Sequence, residues 1–230
     1  MAVIYWAGDS TVQYNSILTY PQTGIGQVFH LFVKPKVRIE NHAKNGRSTK
    51  SFLEEGRFSV ICNRIEAGDF LFIQFGHNDE KKQDPARYTE PFSTFTANLE
   101  TFVNAAREKQ AIPVLISPVE RRCFNEEGVL QAGEHASYVV AMKRAAEVFN
   151  VPMIDLCTMS REKLAETGAE KTKEWYMHLP AGRYASHPEG LTDDTHLKYE
   201  GAVTYAGCIA RGLKELGGIY GDLLLDGLDC

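Results

Sequence analysis

Ala2-Val3-Ile4-Tyr5-Trp6-Ala7-Gly8-Asp9-Ser10-Thr11 opens the chain with six apolar residues that stop at a glycine, an acid and two hydroxyls. An unbroken apolar run of strand length reads as a strand buried on both faces, and the polar stop reads as the turn that follows it. The pattern recurs. Short runs rich in Val, Ile and Phe lie at 2–7, 37–40, 69–75, 112–117 and 152–156, and longer amphipathic stretches lie near 24–34, 48–65, 91–110, 134–149, 158–167 and 199–216. Within 91–110, Phe92, Phe95, Leu99, Phe102, Val103 and Ala106 recur every three to four residues, the period of one buried helical face. Strands that alternate with helices need crossover connections, so they pair in parallel and are covered on both faces. The expected fold is α/β, a three-layer α/β/α sandwich with a five-stranded parallel sheet, flavodoxin-like. No repeat or Pro/Gly/Ser-rich linker interrupts the sequence, and one domain spanning 1–230 is expected.

Composition narrows the partners. The 230 residues include 25 basic and 30 acidic side chains, a net charge of −5, without a Lys/Arg-rich block, so nucleic acid and anionic membrane surfaces are not expected to bind. No apolar run approaches the ~18 residues of a membrane span. The opening apolar stretch lacks a basic flank and runs into Ser10, so it reads as a first strand and not as a cleaved leader. Five scattered cysteines, Cys62, Cys123, Cys157, Cys208 and Cys230, form no Cys-x-x-Cys pair and read as thiols of a reducing compartment. A cytoplasmic location is expected.

Four polar segments carry the chemistry: Gly8-Asp9-Ser10-Thr11, Asn41-His42-Ala43-Lys44-Asn45-Gly46-Arg47-Ser48, Gly76-His77-Asn78-Asp79, and Thr192-Asp193-Asp194-Thr195-His196-Leu197. Each alone is an ordinary capping or turn composition. Three of them follow strand ends and one precedes the last helix, so they can converge on the carboxyl rim of the sheet, where such folds keep their sites. Their residue types fill the roles of acyl transfer. Ser10 supplies a nucleophile, His196 a base that takes its proton and returns it to the leaving alcohol, and an aspartate three residues earlier, Asp193, can orient the imidazole. The Ser10 and Gly46 backbone N–H groups and the Asn78 amide would form an oxyanion hole. The adjacent Asp194 is not separated from Asp193 by composition. Asp9 and Asp79 are expected to hold loops through backbone hydrogen bonds, and His77 to stabilise a turn.

On these residues the sequence resembles the SGNH or GDSL-type hydrolases, with Ser10, Gly46, Asn78 and His196 at the four name-giving positions. It is most similar to the rhamnogalacturonan acetylesterases, through Ala7-Gly8-Asp9-Ser10-Thr11-Val12, Asn45-Gly46-Arg47-Ser48-Thr49-Lys50-Ser51-Phe52, Gln74-Phe75-Gly76-His77-Asn78-Asp79 and Asp193-Asp194-Thr195-His196-Leu197. The resemblance implies removal of acetyl groups from acetylated pectin-type oligosaccharides through an acyl-enzyme. It also selects Asp193 as the partner of His196, and implies a bacterial intracellular form without cofactor or metal.

Substrate recognition is expected in two long loops, Glu120 to Gly133 and Lys171 to Thr192. Arg121 and Arg122 could grip a uronate carboxylate. Trp175, Tyr176, Met177, His178, Tyr184 and His187 have an aromatic density suited to stacking on sugars, and Trp175, Met177 and His178 are the candidates carried forward with the two arginines. Lys44 and Arg47 are further cations near the site. The rival readings are a lipase or thioesterase on the same fold, a metal-dependent phosphoesterase using Asp9, Asn78, Asp79, Asp193 and His196, and a silent carbohydrate-binding relative. The phosphoesterase is disfavoured because His77 precedes Asn78, the reverse of the order such enzymes use. A nucleotide site is disfavoured because Phe29 follows Gly24-Ile25-Gly26 where a third glycine belongs. Monomer and homodimer are both compatible with the sequence.

Overall fold

Strand β1 (Val3–Gly8) lies at the inside of a five-stranded parallel sheet of order β2-β1-β3-β4-β5, where β2 is Arg38–Asn41, β3 Phe70–Gln74, β4 Ile112–Ile116 and β5 Met153–Ile154. The computed structural model describes residues 2–131, 133 and 135–228; Cys230, and position 134 at the start of one expected helix, lie outside them. The strand order reverses between β1 and β3, so their carboxyl ends splay apart and open a crevice.

The period of two along each strand sorts the core into two layers. Ile4 and Trp6 of β1 join Phe70, Phe72, Val114, Ile116 and Ile154 on one face. Helices α1 (Ile25–Val28), α6 (Leu156–Thr167) and α7 (Tyr199–Leu216) cover that face, with Ile25, Leu164, Ala206 and Ile209 packed inward. Tyr5 and Ala7 point the other way and meet Leu71, Ile73 and Leu115 beneath α2 (Thr49–Glu54), α3 (Arg57–Cys62), α4 (Thr96–Glu108) and α5 (Ala136–Phe149). Every residue of β3 is buried, as a central strand covered on both faces requires.

Several expected helices are shorter than their apolar periods. The 24–34 stretch is one turn of α-helix followed by a 3-10 turn, and 48–65 is two helices broken at Gly56, whose φ is +71°. A π-helical turn at Pro91–Phe95 leads into α4. A short helix α8, Gly218–Gly221, follows α7.

The larger departure lies in the stretch read as a loop before the last helix. It contains an antiparallel hairpin of β6 (Tyr176–Leu179) and β7 (Leu191–Leu197), outside the main sheet. Tyr176 pairs with Leu197 while its neighbour Met177 pairs with Asp193, so the register slips and β7 bulges between Asp193 and Leu197. A bulge re-aims side chains away from the ladder. Here it carries Asp194, Thr195 and His196. The Leu197 carbonyl accepts from the Thr23 N–H at 2.8 Å, and the Trp175 carbonyl accepts from Lys198 at 2.9 Å, which fasten the hairpin beside the end of β1 and to the start of α7. Among the described residues no helix is long and apolar enough to cross a membrane.

Candidate active site

Ser10 sits in the turn that ends β1. The Asp9 carbonyl accepts from the N–H groups of Val12 and Gln13 at 3.2 and 3.1 Å, and the Asp9 carboxylate accepts from the Thr11 N–H and hydroxyl at 2.9 and 2.8 Å. Asp9 therefore holds the Ser10 turn from inside; burial raises its pKa and the Thr11 bonds oppose the rise. Asp79 does the same for two other segments. Buried completely, it accepts from the Thr49 N–H at 3.0 Å and the Thr89 hydroxyl at 2.9 Å, and also from the Thr49 hydroxyl, so it ties the chain after β3 to the first turn of α2. Its burial outweighs those bonds and pushes the carboxyl up to about 7. Both aspartates have the loop-holding role their turn positions suggested.

The four polar segments converge on a cavity of about 160 Å³ lined by Ser10, Asn45, Gly46, His77, Asn78, Lys81, Arg87, Arg121, Asp193, Thr195 and His196. The Ser10 Oγ lies 2.9 Å from His196 Nε2, and His196 Nδ1 lies 2.7 Å from Asp193 Oδ2. The other oxygen of Asp193 accepts from the backbone N–H groups of Thr195 and His196 at 2.7 and 3.0 Å. The bulge of β7 makes this closure local, because it curls three residues around one carboxylate. Burial alone would raise the Asp193 pKa, but the His196 ring and the two backbone donors bring the carboxyl down to about 2. Asp194 turns away. Its Oδ1 accepts from Arg122 at 2.8 Å and lies 2.7 Å from His178 Nε2.

Gly46 and Asn78 line the same cavity as the imidazole. Gly46 has φ +76°, a left-handed conformation that a side chain would strain. Gly76 is likewise required, since at φ +150° a Cβ would lie 2.7 Å from Pro118 Cγ. Among the described residues neither the Ser10 nor the Gly46 N–H meets an acceptor, so both donors are available to a bound group. The Asn78 amide is oriented from both ends. Its Nδ2 donates to the Arg47 carbonyl at 3.1 Å, and its Oδ1 accepts from Arg87 Nη1 at 3.2 Å, while the same guanidinium is paired with Asp84 at 2.6 Å. Nδ2 thus keeps one proton for the cavity.

Behind Asn78 lies a buried group that the sequence did not disclose. The His77 and His135 rings meet edge to face at 4.3 Å between centroids, and His135 Nδ1 lies 2.7 Å from Glu80 Oε2. The donor atoms of His77, Glu80 and His135 lie within 4.8 Å of one another, a spacing that could hold a cation. Arg121 Nη2 already pairs with Glu80 Oε1 at 2.8 Å, and burial, followed by the charges of His135, Arg121, His196 and Lys81, holds the His77 pKa well below its usual value and keeps its ring neutral.

Of the residues read as substrate-binding, Arg121 lines the cavity, where it also donates to the Thr195 hydroxyl beside His196. The others are placed differently. Arg122 is buried and spends its guanidinium on Asp194, the Thr172 hydroxyl and the Ala169 carbonyl, so it fastens the hairpin instead of meeting a ligand. Met177 faces the interior, His178 is engaged by Asp194, and Trp175 packs edge-on against Tyr205. Burial does not alternate along β6, where Tyr176, Met177 and Leu179 are all buried and the register slips between Tyr176 and Met177, so packing under the hairpin and not the strand period takes these side chains inward. Tyr184 alone of that group joins Tyr14 and Tyr20 along a separate open groove. Lys81 and Arg87 line the cavity unannounced; Lys81, three residues after Asn78, was within reach of a reading by turn geometry, whereas nothing local marks Arg87.

The family profile described as GDSL-like Lipase/Acylhydrolase matches residues 7–202. The chain belongs to this family. Rhamnogalacturonan acetylesterase RhgT of Bacillus subtilis strain 168 is 41% identical to this acylhydrolase over 216 residues, 93% of this chain and 90% of the relative. The probable rhamnogalacturonan acetylesterase YesY of the same organism is 41% identical over 214 residues, 93% of each chain. By this membership the chain is a carboxylic ester hydrolase. Among solved structures, YxiM of Bacillus subtilis has a TM-score of 0.79 at 25% identity and covers 94% of the acylhydrolase, which spans 57% of that longer protein. Axe2, an acetylxylan esterase of Geobacillus stearothermophilus, shares the fold at a TM-score of 0.65 and 17% identity, covering 92% of this chain and 93% of its own.

Proposed function

We propose that the acylhydrolase is a serine carbohydrate esterase that removes O-acetyl groups from rhamnogalacturonan or other pectin-derived oligosaccharides. The observation that carries the reading is the continuous relay from Ser10 Oγ through His196 to Asp193, in a cavity that Gly46 and Asn78 also line. Full-length similarity to two curated relatives with the rhamnogalacturonan acetylesterase name supports the substrate class.

The chemistry follows from the atoms. His196 Nε2 takes the Ser10 proton as Oγ attacks the acetyl carbonyl carbon, and the oxygen of that carbonyl gains the charge. The N–H groups of Ser10 and Gly46 and the Asn78 amide receive that charge, an interaction stronger in the transition state than in the bound ester. Collapse breaks the bond to the sugar oxygen, which takes the proton from His196 and leaves as the alcohol. A water then gives its proton to His196 and attacks the acetyl-serine carbonyl, and as the bond to Ser10 Oγ breaks His196 returns that proton to Oγ and acetate leaves. Asp193, ionised down to about pH 2, fixes the ring tautomer and stabilises the imidazolium throughout. A cavity of 160 Å³ suits a small acyl group better than a long chain, which favours an acetylesterase over a lipase.

We further read the chain as one domain acting in a reducing cytoplasm, a reading supported by the free thiols of Cys62 and Cys157. The test is hydrolysis of p-nitrophenyl acetate, and acetate release from acetylated rhamnogalacturonan oligosaccharides, by wild-type protein and Ser10→Ala, with and without EDTA. Activity abolished in a folded Ser10→Ala and indifferent to EDTA is expected. Activity that survives the substitution but is lost with EDTA would move the chemistry to the His77, Glu80 and His135 group.

A further inference from the structure

Asn78 stands in the turn after β3, whereas Asp193 and His196 stand on the bulge of β7, which belongs to a separate two-stranded sheet. Main-sheet hydrogen bonds therefore do not fix one against the other, and the Thr23 and Trp175 contacts hold the hairpin at its end, at Leu197 and Lys198. A buried polar chain spans the gap. Glu80, two residues past Asn78, accepts at Oε1 from Arg121 Nη2 at 2.8 Å, and Arg121 Nη1 donates to the Thr195 hydroxyl. The Thr195 N–H donates in turn to Asp193 Oδ1 at 2.7 Å.

Both ends of this chain are anchored. The Glu80 N–H donates to the Gly76 carbonyl at 3.2 Å, within the turn that Asp79 ties to α2, and Glu80 Oε2 lies 2.7 Å from Nδ1 of the fully buried His135. Burial would raise the Glu80 pKa, but the bonds from His135 and Arg121 outweigh it and hold the carboxyl below its usual value. An ionised carboxylate only accepts, so His135 Nδ1 carries the proton. At the other end the Arg122 N–H donates to the Asp194 carbonyl at 2.9 Å, so the chain after β4 grips the bulge at two successive residues. A buried ion pair contributes little to stability once desolvation is counted, so the bridge is better explained by the geometry it fixes.

We propose that Glu80 is a positioning residue for acyl transfer: it locks the Arg121 guanidinium across the site, and Arg121 through Thr195 holds the β7 bulge so that Asp193 and His196 stay in register with Ser10 and Asn78. This deepens the serine esterase reading and rests on it. Without the Glu80 charge the guanidinium is released from its fixed orientation, the Thr195 hydroxyl loses its donor, and the turn around Asp193 loosens. A displacement of about 1 Å in a reacting group can cost about 10²-fold in rate, so a partial loosening is worth about tenfold.

The test is steady-state hydrolysis of p-nitrophenyl acetate, a neutral ester that offers Arg121 no carboxylate, by wild-type protein, Ser10→Ala, Glu80→Gln, Thr195→Val, Thr195→Ser and the double variant of Glu80→Gln with Thr195→Val, each checked for folding by thermal melting. Glu80→Gln keeps the side-chain size and removes the charge, and Thr195→Val keeps the shape and removes the acceptor. Each is expected to lower kcat about tenfold with KM changed less than about twofold, and the double variant should fall less than about twofold below the poorer single one, since both act through Arg121. Thr195→Ser, which keeps the hydroxyl, should recover most of the loss. A role in stability alone would lower Tm and leave the kcat of the folded protein unchanged. A Glu80→Gln kcat equal to wild type, a loss confined to KM, or losses that multiply in the double variant overturn the positioning role and leave the esterase standing. Should Glu80→Gln fail to fold, equal kcat for Thr195→Val and Thr195→Ser overturns it instead. Activity that persists in Ser10→Ala overturns the esterase reading and the positioning role together.

Discussion

Arg87 offers the sharpest test of the proposed oxyanion role of Asn78. Its guanidinium donates to Asn78 Oδ1 at 3.2 Å, while Asn78 Nδ2 donates to the Arg47 carbonyl at 3.1 Å. Turning the amide over would present Nδ2 to a cation and Oδ1 to a carbonyl, so both contacts enforce the orientation that supplies a proton to the cavity. Arg87→Met removes one of the two. A hydrogen bond to a charged group contributes about 1.5 kcal/mol at the weaker end of its range, and a 1.4 kcal/mol change is about tenfold in rate. At 3.2 Å the weaker end is the right choice, so kcat is expected to fall about tenfold. Truncation of the donor itself, Asn78→Ala, should cost about 10² to 10³ in kcat. Since Arg87 acts through Asn78, the two effects should not multiply: Arg87→Met placed on Asn78→Ala should change kcat less than about twofold. Steady-state kinetics on p-nitrophenyl acetate separate kcat from KM for the four proteins. A tenfold loss that persists in the Asn78→Ala background, or an effect of Arg87→Met confined to KM, would refute the positioning argument.

The two neighbouring aspartates should fail in different ways: Asp193→Ala is expected to lose about 10³- to 10⁴-fold in kcat with the fold intact, whereas Asp194→Ala leaves the buried Arg122 without its carboxylate and should cost roughly 1.5–3 kcal/mol in a urea melt with a far smaller loss of kcat. Gly46→Ala forces a side chain into φ +76° and should destabilise by roughly 1–2 kcal/mol, read by thermal melting, while also lowering kcat through displacement of its N–H. His77 is buried and held neutral, so the unfolded chain takes up a proton near pH 6.5 that the native chain refuses, and stability should be complete above that pH and decline as the pH falls below it. A His77→Gln variant should therefore show a smaller drop in Tm between about pH 7 and 5; an equal drop assigns the acid sensitivity elsewhere.

What the sequence determined alone was the alternation of buried strands with amphipathic helices, and the polar stops at the strand ends. Strand faces are set by a period of two and helix faces by a period near 3.6, both local quantities, so the five parallel strands, their covering on both sides and the rim position of Ser10 were legible in it. The role of Asp9 was legible for the same reason, since it bonds within its own turn, whereas the partners of Asp79 lie ten and thirty residues away. Packing decided the rest. The β6–β7 hairpin has a polar strand, Thr192-Asp193-Asp194-Thr195-His196, whose low strand propensity is overridden by its pairing with Tyr176–Leu179 and its anchoring to Thr23 and Trp175. Its bulge, and not the spacing alone, separates Asp193 from Asp194. Arg121 and Arg122 are adjacent in sequence, yet one reaches the cavity and the other is buried under the hairpin, because successive side chains leave the backbone in different directions and only the neighbours they meet give them a role. Arg87 and Lys81 lie on a turn whose course is fixed by Asp79 and Thr89, contacts formed across ten residues or more, so their approach to Ser10 is a property of the folded chain.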